Sequence, residues 1–143
     1  MPKPIVNKAS TTWNGDLFTG SGTTTLETSG AGTFAVNWKA RAEESGSATT
    51  PEELIASAHA TCFTMQFSNN LKENGTPPTT LQTSAEVSFE VGKGITGIAL
   101  SVTGQVDGIS AEDFSRLADA AKTDCPVSQA LKAVDITLTA TLG

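Results

Sequence analysis

The 143-residue chain is poor in side chains that do chemistry: two cysteines, Cys62 and Cys125, one histidine, His59, two arginines, Arg41 and Arg116, and no tyrosine. A closed structural zinc site needs four Cys or His ligands, and three are present. A site completed by a carboxylate has no ligand spacing to support it, so no metal or other cofactor is expected. There is no CxxC, no Gly-rich phosphate loop after a strand and no GxSxG. Thiol chemistry is what remains.

Each candidate also has a plainer reading. Cys62 lies among Phe63, Met65 and Phe67, and a free cysteine in such company packs as a small hydrophobe. Cys125 precedes Pro126 at the start of a helix, where unpaired N–H groups and the positive end of the dipole favour thiolate. His59 precedes Cys62 by one helical turn, so the two can share a face. A Cys–His nucleophile–base pair is one reading. A surface or satisfied core histidine is the plainer one, because nothing after Cys62 supplies an orienting Asn or Asp. Arg41 beside a polar loop is by itself a solvated charge, and Glu52 and Glu53 are by themselves carboxylates that complement a helix N-terminus.

The elements that must position these groups follow from the pattern of residues. Thr11-Thr12-Trp13-Asn14-Gly15-Asp16 carries Asn-Gly, which suits a type I′ turn and predicts the tip of an N-terminal hairpin. Phe34, Val36 and Trp38 alternate with polar or small residues as in a half-buried strand, with Arg41 just beyond it. Thr50-Pro51-Glu52-Glu53 is a capping-box signature, with Thr at N-cap, Pro at N1 and Glu at N3. A long helix follows, with Ile55, Ala58, Cys62 and Met65 on one face and Phe63 and Phe67 in a second apolar row. Asn74-Gly75 ends it, and Pro77-Pro78 prevents its restarting. Ala85, Val87, Phe89 and Val91, then Ile98, Leu100, Val102 and Val106 beyond Gly92-Lys93-Gly94, predict an antiparallel hairpin with one wet face. Ser110 opens a second helix with Phe114, Leu117 and Ala121 inward. Cys125-Pro126 starts a short helix through Leu131, and Val134, Ile136, Leu138, Ala140 and Leu142 alternate along a last strand. The expected class is α+β, with helices laid on one face of an antiparallel sheet.

Length suits a single domain over residues 1–143. The net charge is −6 and the nine basic residues are scattered, which argues against a nucleic-acid groove. The N-terminus lacks the apolar core of a signal peptide. No apolar run approaches the ~18 residues of a membrane span. A soluble cytoplasmic protein is expected, in a reducing compartment where two cysteines stay thiols.

The run Thr50-Pro51-Glu52-Glu53-Leu54-Ile55-Ala56-Ser57-Ala58-His59-Ala60-Thr61-Cys62-Phe63 closely resembles the signature of the OsmC/Ohr family of organic hydroperoxide reductases. Asp124-Cys125-Pro126-Val127-Ser128 resembles that family's second cysteine motif, and the order of elements agrees over essentially the whole chain. His59 resembles the OsmC branch, since the Ohr branch more often has Tyr there. The resemblance implies an OsmC-like fold: an intertwined homodimer around a long buried central helix, with two active sites at the subunit interface. It implies that Cys62 is the peroxidatic cysteine and Cys125 the resolving one, that Arg41 is the catalytic arginine and that Glu52 is its carboxylate partner. It further implies organic hydroperoxides as substrates, reduced better than hydrogen peroxide, and recycling by a dithiol such as a lipoylated protein. Thr50 stands where the family usually has Asn, and Ala42 where an aromatic is common.

Two physical expectations sharpen this. Cys62 lies about 12 residues past the N-cap, and the dipole of its own helix fades within the first turn. Burial raises a thiol pKa, so Arg41 is the expected source of positive charge. Glu52 and Cys62 are about 15 Å apart along a continuous helix, and one arginine bridges them only when almost fully stretched. Arg41 and Glu52 are therefore expected to serve Cys62 of the partner subunit. The alternatives left open are a non-enzymatic module that binds an apolar ligand, with inert cysteines, and a merely structural Cys62–Cys125 disulfide.

Overall fold

The computed structural model describes residues 2–44 and 46–143. The chain divides into two compact units, 1–51 and 52–143.

The first unit is a Thr-rich antiparallel sheet of β1 (Ala9–Asn14), β2 (Ser21–Leu26) and β3 (Thr33–Val36), with β2 central. The expected N-terminal hairpin forms, but Asn14-Gly15 is not a two-residue turn. The strands part at Asn14↔Ser21, and Gly15 has positive φ while Asn14 does not. Asp16 is the reason. Its carboxylate accepts from Thr19 N–H at 2.8 Å and Thr19 Oγ1 at 2.9 Å, and its carbonyl accepts from Gly20 N–H. An Asx-type turn of this kind holds a wider loop open.

The alternation of Phe34, Val36 and Trp38 does not carry on as strand. β3 stops at Val36, and Asn37 caps a short helix α1 (Trp38–Ala42), its Oδ1 accepting from Ala40 N–H at 2.8 Å. Trp38 and Arg41 are thus helical. Asn is a strong N-cap, and a local side-chain cap won over two apolar residues of continued strand periodicity.

The second unit begins within α2 (Pro51–Glu73), which has Pro51 at its first position and Glu52 and Glu53 in its first turn. It ends as the sequence predicts: Gly75 has φ +81°, Gly75 N–H reaches Lys72 C=O, and Thr76 N–H reaches Leu71 C=O, the paired bonds of a Schellman motif. The long hairpin β4 (Thr80–Glu90) and β5 (Gly94–Gln105) is antiparallel, with a bulge at Ser88/Phe89. The predicted inward residues of β5 are buried, as is Val106 just beyond it, while Glu86, Ser88 and Glu90 of β4 face water. Val91 falls in the turn and is exposed.

Ser110 Oγ caps α3 (Ala111–Asp124) by accepting from Asp113 N–H. Then come α4 (Pro126–Ala130) and β6 (Asp135–Leu142). β6 pairs with β5 in parallel, so this sheet, expected to be antiparallel, is mixed. A strand that returns through a crossover, here α3 and α4, re-enters in the same direction, and alternation within a strand carries no sign of that direction.

The core lies between this sheet and the two longer helices. Phe63, Phe67 and Leu71 of α2 meet Leu100 and Val102 of β5 and Phe114, Ala118 and Ala121 of α3. The Phe67 and Phe114 rings contact edge-on with centroids 5.0 Å apart. The buried row of α2 is therefore Glu52, His59, Phe63, Phe67 and Leu71, while Ile55, Ala58 and Met65 are half-buried or exposed and Cys62 packs partly buried against the core. Aromatic bulk decided between the two rows, since Phe buries far more apolar area than Ala or Cys. Met65 is 68% exposed. Among the described residues, no helix is long and apolar enough to cross a membrane.

Candidate active site

The fold brings Cys62 and Cys125 together. Cys62 sits mid-way along α2 and is half-buried; Cys125 occupies the single-residue junction between α3 and α4 and has no exposed surface. Both are free thiols, and they lie close enough for Cys125 to act on the proton of Cys62. Cys125 reaches this place because it ends one helix and starts the next: its N–H bonds to Ala121 C=O while its own C=O accepts from Gln129 N–H. Pro126 at the first position of α4 fixes that change of direction.

The sequence suggested that the N–H groups opening α4 would face Cys125. They do not: Cys125 makes no side-chain cap and belongs to the core cluster. The N–H of Val127 instead acts on the Cys62 sulfur, favouring its thiolate. A helix start does serve a thiol, but the start belongs to α4 and the thiol to α2, a pairing that no spacing along the chain reveals. On balance the Cys62 thiol is held above its ordinary pKa. Burial is the largest cause, the hydrogen bond to Cys125 and that sulfur's negative charge add to it, and the Val127 N–H works the other way.

His59 is fully buried one turn before Cys62, and its Nε2 lies 2.7 Å from Ser128 Oγ of α4. Nδ1 has no hydrogen-bond partner among the described residues. Burial pushes the imidazole pKa down, which favours the neutral ring. A core histidine, satisfied on one side, describes it; its contact is Ser128, not Cys62. Ser128, 5% exposed, escaped notice as a separate group because a serine in a short helix carries no signal until its partner, 69 residues away, is known.

Glu52 is 6% exposed in the first turn of α2. Because α2 is unbroken from Pro51 to Glu73, Glu52 and Cys62 are held about 15 Å apart along its axis. Arg41 lies in α1 of the first unit. The row Ile55, Ala58 and Met65, which shares a helix face with Cys62, is half-buried or exposed. Among the described residues, no three His, Cys, Asp or Glu side chains gather to hold a metal ion. Chemically, the centre is a dithiol with one cysteine half-buried and the other wholly buried.

The family model for OsmC-like proteins matches residues 44–139; Glu52, Cys62 and Cys125 fall inside that segment and Arg41 just outside it. The peroxiredoxin OsmC of Escherichia coli strain K12 is 43% identical over 138 residues, 94% of this chain and 94% of that protein. Among solved structures, an OsmC-like protein of Mycoplasma pneumoniae superposes with a TM-score of 0.74 at 17% identity, covering 99% of each chain. An organic hydroperoxide resistance protein of Elizabethkingia anophelis gives 0.73 at 21% identity, covering 100% of each. At those identities the structural likeness is one of fold. The extent of the family match and the identity to the Escherichia coli protein together place this chain in the OsmC-like family.

Proposed function

We propose that the protein is a thiol peroxidase that reduces organic hydroperoxides to alcohols. The observation that carries this reading is the closeness of a half-buried thiol, Cys62, to a wholly buried one, Cys125, in a chain of the OsmC-like family. The Cys62 thiolate attacks the distal oxygen of the hydroperoxide. The O–O bond breaks, the alkoxide leaves and takes a proton, and Cys62 becomes a sulfenic acid. Cys125 then attacks that sulfur, forming the Cys62–Cys125 disulfide and releasing water. A dithiol, of which a lipoyl group is the kind we favour, reduces the disulfide by exchange. It enters at Cys62, because Cys125 offers no surface to a second reagent, and Cys125 departs as the leaving thiolate. The apolar side chains of Ile55, Ala58 and Met65 on the same helix face favour substrates with a hydrocarbon group over hydrogen peroxide.

Cys62 needs a cation, since its surroundings within the second unit hold it protonated. We assign that role to Arg41, oriented bidentately by Glu52, both contributed by the partner subunit of a homodimer. The length of α2 between Glu52 and Cys62 supports this arrangement. So does the apolar surface left uncovered on the single chain, with Met65 68%, Phe18 75% and Phe34 40% exposed. A guanidinium facing the sulfur stabilises the thiolate and, more strongly, the oxyanion developing on the departing oxygen, where one preorganised donor is worth about 3 kcal/mol. A reducing compartment such as the cytoplasm suits a cycle that returns to two free thiols.

The test is consumption of tert-butyl hydroperoxide and of hydrogen peroxide with dihydrolipoamide, by wild type, Cys62→Ser and Cys125→Ser. The reading expects the organic substrate to be preferred and Cys62→Ser to be inactive. Turnover that survives in Cys62→Ser would overturn it, and so would a wild type that turns over neither peroxide.

A further inference from the structure

The proposed cycle asks Cys125 to stay against Cys62 while the chemistry at Cys62 changes, yet the element that presents Cys125 is slight. α4 has five residues, Pro126–Ala130, and no side-chain cap, and a helix of that length does not hold its own position. Two polar contacts tie it to α2. One is the Val127 N–H on the Cys62 sulfur. The other is Ser128 Oγ on His59 Nε2 at 2.7 Å, with both residues buried. The two form successive rungs, since His59 lies three residues before Cys62 and Ser128 directly follows Val127.

The rungs differ in what oxidation does to them. The first depends on the sulfur that reacts: once Cys62 carries a sulfenic oxygen, its electron density and shape at the Val127 N–H change. The second involves no atom of the reaction and persists. It is also hard to give up. His59 Nδ1 has no other hydrogen-bond partner among the described residues, so losing Ser128 leaves a buried imidazole with none, a costly state that moving α4 to admit water would relieve.

Resting on the peroxidase reading, we propose that His59 and Ser128 are a positioning pair that holds α4, and with it Cys125, on Cys62 through the sulfenic acid stage. They act on the second step, disulfide formation, and not on the attack on peroxide. A disulfide tolerates only a narrow range of separations, and a displacement of about 1 Å at a reacting centre costs on the order of 100-fold in rate. A sulfenic acid that waits is open to a second peroxide and to irreversible sulfinic acid.

The experiment uses the full chain, reduced and then mixed with one equivalent of tert-butyl hydroperoxide. Loss of thiol, trapping of Cys62 sulfenic acid by dimedone, and disulfide are followed by mass spectrometry, with thermal unfolding measured alongside. In Ser128→Ala, peroxide attack should stay within about twofold of wild type, while the sulfenic acid should live ~10–100 times longer and excess peroxide should convert it to sulfinic acid. His59→Gln, whose amide nitrogen falls near the position of Nε2, should resolve as wild type does. His59→Asn, whose amide falls short of Ser128, should behave as Ser128→Ala does and carries the test should that variant not fold. Wild-type resolution in a folded Ser128→Ala or His59→Asn would overturn the proposal, as would equal slowing of both steps. A wild type that forms a disulfide only without a preceding sulfenic acid would refute the peroxidase reading and this inference with it.

Discussion

The assignment of Arg41 and Glu52 to Cys62 of the partner subunit can be tested by mixing subunits. α2 is continuous between Glu52 and Cys62, which places them about 15 Å apart, so an Arg41 paired with Glu52 reaches the sulfur of its own chain only when almost fully stretched. Arg41→Ala removes the cation and is expected to lower turnover by about 100- to 1,000-fold; Cys62→Ser removes the nucleophile. Neither homodimer works. A hybrid of the two has one centre with Cys62 from the first chain and Arg41 from the second, and one centre lacking both. Random association makes half of the dimers hybrids, each with one working centre of two, so an equal mixture should recover about a quarter of wild-type turnover per chain. Co-expression with two different affinity tags isolates the hybrid, which should show about half. The assay is tert-butyl hydroperoxide consumption with dihydrolipoamide. A purified hybrid no more active than Arg41→Ala alone would refute the reasoning, because it would place Arg41 at the cysteine of its own chain.

Two further outcomes follow from the packing and from His59. A Cβ at Gly104 would lie 2.7 Å from Phe114 Cε2 and 2.9 Å from Leu81 Cδ2, and the Phe114 ring, wholly buried against Phe67, has no room to withdraw. Gly104→Ala should therefore cost about 1–3 kcal/mol, read by urea unfolding, with partial recovery when combined with Phe114→Leu; an unchanged midpoint would show that the ring yields. Burial lowers the His59 pKa below its ordinary 6.5, so the unfolded chain takes up a proton there before the native one does. The stabilisation present above pH 6.5 should fall as pH drops through the folded value, with a slope of up to about 1.4 kcal/mol per pH unit from this group. His59→Gln should remove that one-proton part of the slope in urea titrations between pH 7 and 5, and a slope identical to wild type would show that His59 titrates normally.

Much of this protein was legible in its sequence, and the reason is local. A Schellman ending needs only Asn74-Gly75, a helix start needs only Thr50-Pro51-Glu52-Glu53 or Ser110, and alternation along β4, β5 and β6 reports which face is wet. The α+β class and the two thiols were available on the same terms, because each signal lies within a few residues or in a motif that resembles a family. Local rules also misled where two of them competed: Asn37 as a cap overrode the strand-like Phe34, Val36 and Trp38, and Asp16 overrode the Asn-Gly turn.

The tertiary structure alone decided the rest. Strand alternation is the same for parallel and antiparallel neighbours, so the direction of β6 was fixed only by the crossover through α3 and α4. Two apolar rows on α2 were both consistent with a core, and the volume of Phe63 and Phe67 against Phe114 selected one, leaving Cys62 half-buried beside it. The sequence named Cys62 and Cys125 as partners through a resemblance. It could not place the Val127 N–H on Cys62 or Ser128 on His59, because a contact across tens of residues exists only once the core has set α4 against α2.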